Sequence, residues 1–348
     1  MTVRPRRILI ALPVLAACLA VTACGTRSEP TAAPRTQPLR LVLDYLPNAD
    51  HAGIYTAQAT GEFRKAGLDV RITTPTDPSA PLRLVAAGQA DLAISYEPEV
   101  FLARAKGATI LSVAAIANQP LTSLMSTGGR SVAPKSLAGK QIGTAGIPYQ
   151  SAYLKQILAD AGVDAGSVKE VNVGFNLIPA MLSKRVDATL GAFWNIEGVE
   201  LALKHRDPKI LPVDQAGVPP YNELVLVASQ DTVRRRGALI RRFIQALQRG
   251  TRAAIRTPAL AVRSLRAAAP DITPTVAEKT IAATLGVLVP LRAKDPFGWQ
   301  DPAAWQAYGD WMARNGLIPQ APAAGAVLTN EFLPGEGVGT AGEEPAAP

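Results

Sequence analysis

From residue 39 onward, short aliphatic and β-branched runs alternate with stretches of helical periodicity. Residues 39–43, 68–72, 92–95, 110–116 and 123–126 predict strands, with helices over 51–65, 81–87 and 98–106 between them. A second series opens after Gly128-Gly129. Strands at 141–143, 170–173 and 188–190 alternate there with helices at 151–161, 177–183 and 197–204. Residues 224–228 form a last apolar strand, and the chain then reads as helical to about Asn315. This rhythm is that of α/β layers. Two series followed by helices predict two lobes, the final helices returning to the first. Ligands of open α/β sheets bind beyond the strand C-termini, so facing lobes enclose a cleft.

A faint internal echo supports two related lobes. Residues 84–94 resemble residues 180–190, each giving a helix end, a small turn, an aspartate (Asp91, Asp187) and a strand. An aromatic and a glutamate follow both strands: Tyr96-Glu97, and Phe193-Trp194 with Glu197. Equivalent placement would set these groups on opposite walls of the cleft.

The N-terminus predicts export. Arg4, Arg6 and Arg7 precede an apolar run that ends at Val21-Thr22-Ala23-Cys24. This ending resembles a bacterial lipobox, which implies cleavage before Cys24 and lipid attachment to its thiol. Cys18 would leave with the signal peptide, so the processed chain has no disulfide. Arg6-Arg7 alone does not decide between Sec and twin-arginine export. The expected organisation is a signal peptide at 1–23, a Pro/Ala/Thr-rich tether at 24–38, the first part of lobe 1 at 39–127, and lobe 2 at 128–223. Helices returning to lobe 1 follow at 224–333, then a disordered tail at 334–348.

Composition narrows the chemistry. The 348 residues are 48% hydrophobic, which excludes wholesale disorder, and two histidines with two cysteines leave no material for a zinc site. The net charge is +8, and ten arginines lie between Arg234 and Arg266. There Leu239, Ile240, Phe243, Ile244 and Leu247 recur at helical spacing, which puts Arg241, Arg242 and Arg249 on a polar face. Exposed aromatics are not interleaved, so nucleic acid is not the expected partner. A solvated face, or contact with anionic headgroups or a membrane partner, remain the readings. No Gly-x-Ser-x-Gly elbow or Walker loop appears, and no catalytic residues, metal or cofactor are expected.

The segment Leu43-Asp44-Tyr45-Leu46-Pro47-Asn48-Ala49-Asp50-His51-Ala52-Gly53 resembles the thiamine-pyrimidine-precursor family of periplasmic-type binding proteins. The likeness continues through Gly61-Glu62-Phe63, Ser95-Tyr96-Glu97, Phe193-Trp194-Asn195-Ile196-Glu197-Gly198, Tyr221-Asn222-Glu223 and Gly298-Trp299-Gln300-Asp301-Pro302, covering about 39–333. It implies a type II-like, two-lobed periplasmic-binding-protein fold. The implied role is the solute-binding component of an ABC importer, monomeric, extracytoplasmic and anchored to the membrane by lipid. Its ligand would be hydroxymethylpyrimidine or formylaminopyrimidine, delivered to a permease and its ATPase. Tyr45 stands where many members have Trp, and Ile196 replaces the Trp of a Trp-Glu-Gly run, so riboflavin or another flat heteroaromatic is the alternative. A related pyrimidine synthase carries a cysteine-rich run where this chain has residues 221–227. His51 stands at the position of that synthase's reactive histidine.

An aminopyrimidine needs aromatic faces, a carboxylate for its exocyclic amine, and donors for its ring nitrogens. Tyr45, Tyr96 and Trp194 are the expected stacking groups, Asp44, Glu97 and Glu197 the acids, and Asn48, His51 and Asn195 the amide and imidazole partners. Competing structural roles are core packing for Tyr45 and Trp194, a helix N-terminal charge for Glu97, and a turn for Asp44. The loop Gly143-Thr144-Ala145-Gly146-Ile147-Pro148 reads as a cleft wall.

Overall fold

The computed structural model describes residues 36–335. The expected signal peptide, Cys24 and nearly all of the expected tether and tail lie outside them. The chain runs through β1 (Gln37–Val42), a 3₁₀ turn at Ala49–His51, α1 (Ala52–Ala59), α2 (Glu62–Lys65), β2 (Leu68–Thr73) and α3 (Pro81–Ala86). Next come β3 (Leu92–Ser95), α4 (Glu97–Ala105), β4 (Ile110–Ala117), β5 (Thr122–Ser126), β6 (Gln141–Thr144) and α5 (Pro148–Asp160). They are followed by β7 (Lys169–Asn172), α6 (Leu177–Leu182), β8 (Ala188–Phe193), α7 (Glu197–Leu203) and β9 (Lys209–Pro212). The chain finishes with β10 (Leu224–Ser229), α8 (Gln230–Arg256), α9 (Pro258–Ala268), α10 (Pro274–Thr284) and α11 (Pro302–Arg314).

Two five-stranded sheets result, ordered β2-β1-β3-β10-β4 and β7-β6-β8-β5-β9. In each, the first three strands are parallel and the fourth is antiparallel to both neighbours. The sheets therefore share one topology, with β5 and β10 as the strands that each sheet receives after a crossing. The first crossing falls between β4 and β5. Residues 123–126, expected in the first lobe, thus pair in the second sheet, with register Ser123↔Ala192 and Ser123↔Pro212. β9 had no clear sequence signal, since Lys-Ile-Leu-Pro is short and ends in proline; it lies at a sheet edge, where proline is tolerated. The expected helix 51–65 is a 3₁₀ turn and two short α-helices, broken at Thr60-Gly61.

Local sequence explains the helix starts. Proline occupies the first or second position of α3, α4, α5, α9, α10 and α11, where its missing N–H costs nothing and its φ is already helical. Asp301, Thr273 and Ser229 cap α11, α10 and α8 with side-chain oxygens.

The internal echo has a backbone meaning. Asp91 Oδ2 accepts from Arg40 N at 2.8 Å while Asp91 N donates to Arg40 O, so the aspartate brackets the middle of β1. Asp187 does the same at the start of β6, accepting from Gln141 N at 2.9 Å and donating to its carbonyl. Each bracket sets the register of the parallel strand that follows, Leu41↔Leu92 in one sheet and Ile142↔Ala188 in the other.

The arginine-rich helix is more tied down than a solvated face. Arg236 donates to Asp91 and to the Pro38 carbonyl, Arg242 to Gln37 and the Ala66 carbonyl, and Arg249 to Glu62. The opposite face buries Leu239, Ile240, Phe243, Ile244 and Leu247, as the spacing predicts. α8 lies so close to α1 that a Cβ on Gly250 would stand 2.5 Å from the Gly53 carbonyl. Only glycine permits that approach.

Candidate functional site

The parallel strands β1, β3, β6 and β8 all end at one cleft, where open α/β sheets place their ligands. The first lobe contributes Asp44, Tyr45, Asn48 and Tyr96; the second contributes Ala145, Ile147, Gln150, Gly191, Phe193, Ile196 and Glu197. Together they line a cleft that is open to solvent on one side, with about 320 Å³ of space when that opening is counted.

On the first wall, Asp44 is buried and its carboxylate is fully engaged. Tyr96 Oη donates to Oδ2 at 2.8 Å, and His51 Nε2 lies 2.9 Å from Oδ1. His51 Nδ1 accepts from Asn48 N at 3.2 Å, so the ring proton sits on Nε2 and is given to Asp44. Tyr45 spans the mouth of the cleft. Its hydroxyl donates to the Gly174 carbonyl at 3.4 Å, and its ring meets Phe175 edge-on at 4.8 Å.

On the second wall, Glu197 Oε2 accepts from Phe193 N at 2.8 Å, and burial pushes its carboxyl up to about 7. Gln150 is buried, with Oε1 accepting from Ala145 N at 2.8 Å. Its amide nitrogen lies against Gly191, where a Cβ would come within 2.3 Å. Gly191 has φ +117 and sits at a register shift in the β5–β8 pairing, a bulge that turns the end of β8 towards the cleft.

Several expected site residues lie elsewhere. His51 is 1% exposed and stands behind Asp44, outside the lining. Trp194 donates its indole N–H to the Pro120 carbonyl at 3.1 Å and packs on the core at the first crossing. Asn195 is fully buried and donates from Nδ2 to Asp50 Oδ1 at 2.7 Å and to Thr284 Oγ1 at 2.8 Å. Glu97 is also buried, but it accepts from Asn222 N at 2.7 Å and borders a separate groove with Asn118, Arg292 and Trp299. Burial raises its carboxyl to about 8.

Strand alternation accounts for the exchange of Trp194 for Phe193. β8 runs to Phe193, three residues beyond its expected end, and successive side chains of a strand point to opposite faces. Gln150 was missed because its signal is positional: it stands in the first turn of a helix that proline starts right after β6.

The lobes also meet around the cleft. Glu99 on α4 accepts from Tyr149 N in the first turn of α5 at 2.8 Å, and burial raises its carboxyl to about 7. At the crossings, Glu223 accepts from Leu121 N, Thr122 N, Thr122 Oγ1 and Tyr221 Oη at 2.7–2.9 Å. Burial pushes its carboxyl up, against these hydrogen bonds.

Known proteins share this architecture. The alkanesulfonate-binding protein SsuA from Xanthomonas axonopodis pv. citri, bound to MOPS, superimposes with a TM-score of 0.67 at 18% identity, covering 84% of this chain and 98% of its own. The fold is therefore the two-lobed one of periplasmic solute-binding proteins. A formylaminopyrimidine-binding protein of Halalkalibacterium halodurans is 36% identical over 247 residues, which span 70% of this chain and 72% of the relative. A 4-amino-5-hydroxymethyl-2-methylpyrimidine phosphate synthase of Saccharomyces cerevisiae is 24% identical over 227 residues, 62% of this chain and 66% of the relative. The NMT1/THI5-like family profile matches residues 48–261. With that match over more than half of its length, the chain belongs to the NMT1/THI5-like family.

Proposed function

We propose that this protein captures a pyrimidine precursor of thiamine, formylaminopyrimidine or hydroxymethylpyrimidine, by closing its lobes over the ligand, and presents it to an ABC permease and its ATPase. The reading rests on the wall chemistry: two carboxyl groups, three aromatic rings (Tyr45, Tyr96, Phe193), two primary amides (Asn48, Gln150) and no basic side chain among the lining residues. Tyr45, Tyr96 and Phe193 offer faces or edges to a flat ring. Glu197 accepts from an exocyclic amine, the engaged Asp44 holds Tyr96 in place beside it, and the Gln150 amide nitrogen donates to a ring nitrogen. An anion in this cleft would meet like charge with no compensating cation. The 36% identity to a formylaminopyrimidine-binding protein supports the same ligand class.

Cys24 would carry the lipid that holds the protein at the outer face of the cell membrane. Labelling with a lipid precursor, lost in Cys24→Ser, tests that anchor.

The ligand is tested by thermal shift and calorimetry with formylaminopyrimidine, hydroxymethylpyrimidine, thiamine, riboflavin, taurine and nitrate. A ligand at about 100 times its Kd adds roughly 2.7 kcal/mol of stability. A response to the pyrimidines is the expected outcome. Riboflavin alone would keep the transporter and change its cargo, and taurine or nitrate alone would defeat the charge argument.

A synthase reading draws on the 24%-identical relatives and on His51. The burial of His51, the engagement of both its ring nitrogens, and a run at 221–227 without cysteine support capture instead. Product formation abolished by His51→Ala would reverse that choice.

A further inference from the structure

Asp50 and Asn195 meet across the two lobes with an incomplete set of hydrogen bonds. Asp50 lies in the 3₁₀ turn of the first lobe and Asn195 follows β8 of the second, and both are essentially without solvent exposure. Asn195 Nδ2 donates to Asp50 Oδ1 at 2.7 Å. Asp50 Oδ2 and Asn195 Oδ1 are each buried with no partner among the described residues. Two acceptors cannot satisfy one another, and a buried acceptor left without a donor is destabilising. One proton removes both deficits, because a carboxylic acid and a carboxamide form a ring of two antiparallel hydrogen bonds.

We infer that Asp50 is a proton-binding site coupled to closure, its proton resting on Oδ2 and donated to Asn195 Oδ1. The proton comes from solvent as the lobes meet and returns there when they part. The surroundings favour the neutral acid. Burial, with the charges of Asp44, Glu197 and Glu223, pushes the Asp50 carboxyl up, and only the Asn195 hydrogen bond opposes them. Its neighbour His51 is engaged with Asp44. From α10 the buried side chains are Ala277, Thr280, Ile281 and Thr284, with Glu278 and Lys279 exposed. Gly53 and Ile54 of α1 and Leu247 and Thr251 of α8 border a small cavity beside Asp50.

The proposal rests on capture by closure as proposed above, and its test separates the two. Asp50→Asn has the shape of the protonated acid and can complete the ring with no proton. Calorimetric titrations of the full chain with formylaminopyrimidine, in buffers of different ionisation enthalpy, count the protons taken up. Wild type is expected to take up protons on binding, and its association constant to fall by up to about tenfold per pH unit between the open-form and closed-form pKa values. Asp50→Asn should take up fewer protons, follow a flatter profile, and bind more tightly than wild type at alkaline pH. Glu99 and Glu197 titrate in the same interval, so the readout is the difference between the two proteins. Equal proton uptake, or weaker binding by Asp50→Asn at every pH, overturns the proposal.

Melting without ligand is an independent arm. Asp50→Asn should melt above wild type, by a margin that widens as pH rises, and a lower melting temperature at every pH overturns the proposal. If neither protein binds formylaminopyrimidine while Asp50→Asn melts higher, the ligand reading fails and the proton site stands.

Discussion

The two lobes are built on one plan, and their equivalent residues have different fates. Asp91 and Asp187 make the same backbone bracket, yet Asp91 also holds Arg40 at 3.1 Å and, from α8, Arg236. Among the described residues, Asp187 has only Arg130 at 3.9 Å. Burial would raise the Asp91 carboxyl, but the Arg40 hydrogen bonds and the Arg236 charge hold it below the usual range. The bracket is what the topology requires, and the arginine layer is what the first lobe adds when α8 returns to it.

The glutamates diverge for a simpler reason. Glu97 and Glu197 are each the first residue of the helix after an equivalent strand. A single residue, Tyr96, separates β3 from α4, whereas Trp194, Asn195 and Ile196 separate β8 from α7. That longer turn carries Glu197 into the cleft while Glu97 stays against the second crossing. A motif repeated in sequence keeps its backbone role more faithfully than its side-chain role.

The contrast can be broken in four ways. Asp91→Ala should cost about 3 kcal/mol in urea unfolding, since it strands two arginines and a backbone N–H, against about 1 kcal/mol for Asp187→Ala. Equal losses would show that the arginine layer contributes nothing. Glu197→Gln should weaken formylaminopyrimidine binding by about 2 kcal/mol, roughly 30-fold, while Glu97→Gln changes the calorimetric Kd less than about threefold. Similar losses would restore the symmetric cleft.

Gly191→Ala should lower stability by about 1–2 kcal/mol and displace Gln150, because φ +117 and a 2.3 Å approach both oppose a side chain. Its counterpart Ser95, in ordinary strand geometry, should tolerate alanine with about half that loss or less. A neutral Gly191→Ala would mean that the bulge relaxes freely.

The smallest effect is a difference in pH profile. Both glutamates are raised from 4.5, to about 8 for Glu97 and about 7 for Glu197. The folded state then keeps protons that the unfolded chain has released, so stability falls as pH rises from about 4.5 through these values. Between pH 7 and 8, Glu97→Gln should flatten the unfolding curve and Glu197→Gln should barely change it. The reverse result would exchange the two environments.

Much of the fold was legible in the sequence because it depends on local rules. Apolar alternation gave most strands, proline marked helix starts, and the spacing of Leu239 to Leu247 gave the buried face of α8. The first crossing was harder, since residues 122–126 are as buried as any strand of the first lobe and only pairing shows which sheet receives them. In the cleft, Asp44, Tyr45, Asn48, Tyr96 and Glu197 were readable from residue type and order. Phe193 was not chosen because a three-residue error in the end of β8 reverses which aromatic faces inward. Trp194, Asn195 and Glu97 have the right chemistry for a ligand, but each spends it on protein groups: a carbonyl at the crossing, a carboxyl across the lobes, and an amide beside β10.

Glu223 has a mechanical consequence. The polypeptide passes between the lobes twice, and this one carboxylate grips the backbone of the first passage at Leu121 and Thr122 from its own place beside the second. Two independent ribbons would allow the lobes to slide, twist and swing. Ribbons fastened to each other at one point resist shear and torsion, so swinging about an axis through that point is the softest motion left. For the closure proposed above, such a joint would behave like a door on a single pin: whatever the ligand, the lobes would shut along nearly the same arc, and their outer faces would arrive in the same relative pose each time.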